Sequence, residues 1–302
     1  MMETLRTLVR RHPVVSFFSL AFGVSWLFWM PYLLSNHGLG LEPEIRFPDD
    51  PGIAQLLGVL PGAYLGPLGA AFTVTALSEG RAGLRRWVHR LTHWRVGWRW
   101  FFAVLLIVPA AILLAPLALP KTWGTMTMPG LLILLAYVPM LIMQIITTAA
   151  AEEPGWRDFA LPRLQERFGP LFGTTILGLL WGAWHLPLFL TEWGGPDKTW
   201  WLPVVFIAGC VPLSLVMTWV FNRTGQSVPL IMLLHAGINS TYSLLWPEVF
   251  PTLDFTVDTL WGQLIASTAA ALVLIIATRG RLGLRTPSHP TEPARATPAH
   301  AA

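Results

Sequence analysis

Charge is scarce in this chain of 302 residues: Asp, Glu, Lys and Arg make up 12% of it against 54% hydrophobic residues, where a typical soluble domain carries roughly 25% charged residues. Together with a mean hydropathy of +0.55, this scarcity excludes a soluble globular protein. Cysteine is nearly absent. The single Cys210 excludes an internal disulfide, and no base accompanies it in sequence to activate a thiol. There is no G-x-S-x-G, no serine placed with a histidine as a serine intramembrane protease needs, and no H-E-x-x-H helix of the zinc peptidases. Every Asp except Asp158 falls in an external loop or near the end of an apolar run, which argues against an aspartyl protease of the membrane. No repeat period points to a solenoid. No A-x-A-like cleavage site follows the first apolar stretch, so that stretch reads as an uncleaved span.

Long apolar runs fill the chain instead. Eight are read at 14–34, 53–78, 101–119, 129–151, 171–190, 200–221, 228–246 and 257–278, each near the roughly 20 residues a spanning helix needs. Gly and Pro inside the second and sixth are tolerated because neighbouring helices re-satisfy the freed backbone groups. The expected architecture is all-α and polytopic, with about eight transmembrane helices. A short segment 1–13 precedes one integral membrane domain at 14–280. The segment 281–302, rich in Pro, Ala and Thr and poor in large apolar residues, reads as a disordered tail.

The cations are distributed unevenly. With eight spans, 17 of the 20 Lys and Arg fall on the side that carries both termini, the loop 79–99, Arg157, Arg163, Arg167 and Arg223. The opposite side has only Arg46, Lys121 and Lys198, among acids such as Asp49, Asp50 and Glu192. By the positive-inside rule both termini are expected in the cytoplasm, as befits a multi-pass protein of the cell membrane. The net charge of +4 and the pI near 9.7 then reflect loops facing anionic lipid and give no argument for nucleic acid. Within one of those loops, Leu84, Trp87, Leu91, Trp94 and Trp98 recur at three- and four-residue steps, so 81–100 is expected to form an interfacial amphipathic helix with arginines reaching phosphates.

Polar groups that cost free energy inside a bilayer are functional candidates, and here they concentrate in three stretches. In AEEPGWRDFALPRLQ, Glu153 and Arg157 are four apart and pair if the stretch is helical, while Glu152 points about 100° away; Pro154 favours a kink. WGAWHLPLFL carries His185 in an apolar helix. LLHAGINS places His235 and Asn239 on one helix face.

These stretches resemble the CAAX prenyl protease and bacteriocin-processing family of intramembrane endopeptidases, also called the Abi family. It is marked by E-E-x-x-x-R, F-x-x-x-H and H-x-x-x-N on successive helices. The matches are Glu152, Glu153 and Arg157; Trp181 and His185; and His235 with Asn239. The resemblance covers about 130–246, and the N-terminal third agrees only in general character. Two positions depart: Trp181 stands for the usual Phe, and Asp158 follows the arginine where glycine is common.

The resemblance implies a fold in which the helices enclose an intramembrane cavity, and an endopeptidase acting on a membrane-associated, possibly prenylated (CAAX-type) peptide. It makes Glu152 the base that activates water with His185 assisting, His235 and Asn239 the oxyanion-stabilising pair, and Glu153, Arg157 and Trp181 supporting residues. A carboxylate in a low-dielectric cavity is suited to accept a proton from water. Family members are commonly labelled metalloproteases, and Glu152, His185 and His235 would make a three-ligand Zn2+ set, although one Glu and two His also work without metal. A cavity open to the cytoplasmic leaflet would suit a lipidated peptide. Two other readings stay open on the residues alone: a transporter or proton relay using the same buried Glu and His, and a non-catalytic bacteriocin-immunity-type protein.

Overall fold

The computed structural model describes residues 2–118, 122–196 and 198–284. Lys121, Asp197, Arg295 and the tail from Arg285 onward therefore lie outside the described residues. Helix α1 (Met2–Arg11) is amphipathic and leads into α2 (Pro13–Leu34). Next come α3 (Pro51–Ser78), α4 (Gly80–Leu91) and α5 (Trp98–Leu117). A continuous helical stretch, Leu131–Leu190, follows, then α8 (Trp201–Arg223), α9 (Val228–Val249) and α10 (Phe255–Thr278).

Among the described residues, 7 helices are long and apolar enough to cross a membrane. The stretch Leu131–Leu190 holds two of the eight expected segments, because Gly169 leaves helical geometry at φ 77 and ψ 166, a conformation glycine adopts without steric cost. The chain turns back sharply there: a Cβ added at Gly173 would lie 2.6 Å from the carbonyl carbon of Leu164. The two limbs are α6 (131–168) and α7 (170–190). All-α polytopic architecture thus follows from the apolar runs, with the fourth and fifth joined by a helical elbow.

The amphipathic helix is shorter than the periodicity predicts. It ends at Leu91, where the Thr92 hydroxyl donates to the Val88 and His89 carbonyls, and residues 92–97 run non-helically to Trp98 at the start of α5. Trp87 is buried while Trp94 and Trp98 are exposed. Proline-bearing α3 is supported by α2, whose Ser25 hydroxyl and Trp29 indole donate to the carbonyls of Gly62 and Val59 at 2.7 and 2.8 Å. This is the neighbour-helix satisfaction that a broken span needs in lipid.

The core runs from α2 and α3 through α6 and α7 to α8 and α9, where Met217, Phe221, Leu230 and Ile231 are buried. Phe17 packs against Trp156 and Phe159, and Trp29 and Trp156 pack against Trp184. Leu132 and Leu135 on α6 and Val273 and Ile276 on α10 point outward, giving the periphery the apolar face a bilayer requires.

Candidate active site

Two π-helical turns, Ile145–Ala149 and Pro154–Ala160, bracket the single α-turn Ala150–Glu153 on α6. Proline at 154 cannot donate a backbone hydrogen bond, and such widened turns recur at functional sites because they redirect side chains. Gly155 lets this segment lie against α3: a Cβ there would come within 2.6 Å of the Pro67 carbonyl oxygen.

The two adjacent glutamates face different surroundings. Glu152 accepts a hydrogen bond from the Trp181 indole at 2.7 Å and lines a cavity of about 490 Å³. Glu153 is fully buried behind it and does not line the cavity. Its Oε1 accepts from Arg157 at 3.2 Å and sits 2.7 Å from His235 Nδ1. The ion pair forms despite Pro154. The Arg157 guanidinium also lies over the Trp181 ring at 4.2 Å and reaches Met217 Sδ at 3.1 Å.

Asp158, the departure from glycine, is buried and bound by Arg90 of α4. An arginine expected to reach lipid phosphate is thus committed within the protein, and it fastens α4 to the motif segment. The Trp87 indole donates to the Pro154 carbonyl at 3.2 Å and adds a second fastening.

His185 ends the α-helical part of α7. Its Nδ1 lies 2.9 Å from the Trp181 carbonyl, which makes Nδ1 the protonated nitrogen and leaves Nε2 to the cavity. The ring stacks on Trp193 with centroids 5.5 Å apart and meets Phe206 edge-on at 5.0 Å. Asn239 extends its amide nitrogen to Gln144 Oε1 and Thr148 Oγ1, both at 3.5 Å. Glu152, Trp181, His185, His235 and Asn239 all line the same cavity.

Several lining residues were not singled out by the motifs. Gln144 and Thr148 precede Glu152 at four-residue steps, so helical spacing marks them as sharing its face, but they sit inside an apolar run that masks them. Gln263, from α10, lies 111 residues beyond Glu152 (263 − 152) and also lines the cavity. Only tertiary structure brings it there.

Among the described residues, no group of three His, Cys, Asp or Glu side chains is positioned to hold a metal ion. Glu152 is engaged by Trp181, and the Nδ1 of His235 is turned to Glu153. As placed, Glu152, His185 and His235 do not form a ligand set.

Residues 133–241 match the family described as type II CAAX prenyl endopeptidase, Rce1-like. Over 203 residues the chain is 26% identical to "CAAX prenyl protease 2" of Methanococcus maripaludis, a match that covers 64% of this chain and 74% of that protein. Both matches are to CAAX prenyl proteases, so the chain is similar to a family of endopeptidases, and the matched segment contains all three motif stretches. The family match ends at residue 241, so Gln263 and α10 fall outside it, as do α2 and the part of the cavity wall that α3 supplies.

Proposed function

We propose that this protein hydrolyses a peptide bond in a membrane-associated peptide, with Glu152 as the general base. In this reading Glu152 takes a proton from water as the water oxygen attacks the scissile carbonyl. His185, neutral with its Nε2 lone pair toward the cavity, orients that water. The oxyanion that develops is met by His235 Nε2–H and the Asn239 amide. For His235 to donate from Nε2 while Nδ1–H donates to Glu153, both ring nitrogens must carry protons, and the Glu153 carboxylate supplies the counter-charge. The proton held on Glu152 then passes to the leaving nitrogen as the C–N bond breaks, and Glu152 returns to its ionised form.

One observation carries the assignment. Glu152 opens onto the cavity shared with His185, His235 and Asn239, while Glu153 is committed to Arg157 and His235 behind it.

The name of the Methanococcus relative makes a prenylated C-terminal peptide the first probe to test. The purified protein in proteoliposomes should cleave such a peptide at an internal bond, with mass spectrometry identifying both fragments. Turnover should persist after chelator treatment and dialysis. Uptake of the intact peptide without cleavage would favour the transporter reading.

A further inference from the structure

Beside the motif segment lies a second cleft, of about 270 Å³, that shares no residue with the cavity holding Glu152. The end of α3, the start of α4 and the turns of α6 just before Gly169 form it, with Glu79 at the junction of α3 and α4. Gly83 permits the close approach: a Cβ there would lie 2.3 Å from Glu79 Cβ and 3.1 Å from the Thr75 methyl carbon. The cleft is open to the surface, because Glu79, Arg86 and Glu166 in its lining are exposed. The exposed Trp94 and Trp98 that follow α4 set this end of the bundle at the level of the lipid headgroups.

The two carboxylate oxygens of Glu79 each hold a different arginine. Oε2 accepts from Arg86 at 2.6 Å, and Oε1 accepts from Arg163. Arg163 also donates to the Phe159 carbonyl at 2.7 Å and lies over the Phe159 ring at 3.9 Å, which fixes its plane. A guanidinium carries five N–H donors, so these bonds position both groups and leave most of their donors unspent. Two fixed guanidiniums with spare donors match the oxygens of a phosphate. Thr75 supplies a further donor. It is buried in the lining, and its hydroxyl has no hydrogen-bond partner in the protein, a costly state for a buried polar group unless a ligand relieves it.

The charges around the cleft balance. Arg86, Arg90 and Arg163 line it together with Glu79 and Glu166, and Asp158 stands behind Arg90 as a third acid. A net anion therefore gains little here, whereas a ligand with both signs gains at each end. Glu166 lies three residues beyond Arg163, on the same face of α6, and no ion pair engages it among the described residues. We propose that this cleft binds the headgroup of a membrane phospholipid bearing a primary ammonium, of the phosphatidylethanolamine class. The phosphodiester is held by Arg86, Arg163 and the Thr75 hydroxyl, and the ammonium by Glu166. A lipid seated there fastens α4 to the limb of α6 that carries the motif glutamates. The peptidase reading plays no part in this assignment.

The test is lipid binding to the purified full chain in detergent, read by native mass spectrometry. Phosphatidylethanolamine, phosphatidylcholine and phosphatidylglycerol are titrated separately, with inorganic phosphate as the free-anion arm. Phosphatidylethanolamine should bind tightest, because the quaternary ammonium of phosphatidylcholine has no N–H to donate and phosphatidylglycerol has no ammonium. Arg86→Gln removes a charge-assisted contact of about 1.5–3 kcal/mol and should weaken phosphatidylethanolamine by about tenfold or more. Glu166→Gln should abolish the preference for phosphatidylethanolamine over phosphatidylcholine. Both positions are exposed, so both variants should fold, and melting curves would verify this. Equal binding of the three lipids to the wild type, tighter binding of phosphatidylglycerol, or affinity unchanged by Arg86→Gln overturns the proposal. So does inorganic phosphate that displaces the lipid at equal concentration, which would make the cleft a free-phosphate site.

Discussion

His235 Nδ1 lies 2.7 Å from Glu153 Oε1, and the same oxygen accepts from Arg157 at 3.2 Å. One buried carboxylate thus joins the third motif to the first across 82 positions of sequence, and fixes the ring to which the proposed mechanism gives the oxyanion. Replacing Glu153 by Gln keeps its volume but leaves Arg157, fully buried, without a counter-ion. Breaking a buried pair by removing one partner costs about 3–5 kcal/mol. Glu153→Gln and Arg157→Gln should each lower the melting temperature in detergent, and the double variant should lose less than the two single losses combined. Additive losses would contradict the coupling.

The Trp181 indole replaces the usual phenylalanine with a ring that also donates to Glu152. A hydrogen bond to a charged group contributes about 1.5–3 kcal/mol, so Trp181→Phe should lower kcat by about tenfold or more. The aromatic face under Arg157 survives, so the melting temperature should fall by no more than the loss of that one hydrogen bond accounts for. Turnover equal to that of the wild type would show that the indole N–H does not position the carboxylate.

Arg90 and Asp158 tie α4 to the motif segment. Arg90→Gln strands a fully buried carboxylate and should destabilise the protein by about 3–5 kcal/mol. Adding Asp158→Asn to it should recover most of that loss, as thermal melting of the three variants would reveal. No recovery in the double variant would mean that Arg90 acts elsewhere.

Much of this was legible in the sequence, and what was hidden shares one cause. The apolar runs gave the spans, and the spacing of Glu153 to Arg157 and of His235 to Asn239 predicted shared helix faces, since both pairs are local. The Glu153–His235 and Arg90–Asp158 contacts are not local, and no periodicity encodes them. Trp181 reads from sequence as an aromatic swap, because ring size is visible there and the direction of an N–H is not. The span of 81–100 was over-read because Trp94 and Trp98 continue the apolar period past a helix that Thr92 closes.

At the Arg-rich end, burial pushes the Glu79 carboxyl up, but hydrogen bonds and charge from Arg86 and Arg163 outweigh it and hold the group below the usual carboxylate range. A carboxyl depressed by folding contributes stability above its unfolded pKa and loses it as the pH falls through the folded one. Glu79→Gln should therefore melt below the wild type at neutral pH, and the gap should close in acid below the usual carboxylate range. Because the group is largely solvated, the gap should also shrink in high salt. A difference independent of pH would contradict the ion pairs.

The most direct measurement is turnover by Glu152→Gln beside wild type in the same proteoliposomes, with melting curves for both. The substitution keeps the shape that Trp181 meets and removes the negative charge and with it proton acceptance. The account predicts turnover lowered by at least about 10²-fold, the usual cost of losing a general base, with an unchanged melting temperature. Turnover at the wild-type rate in a folded Glu152→Gln protein would contradict it.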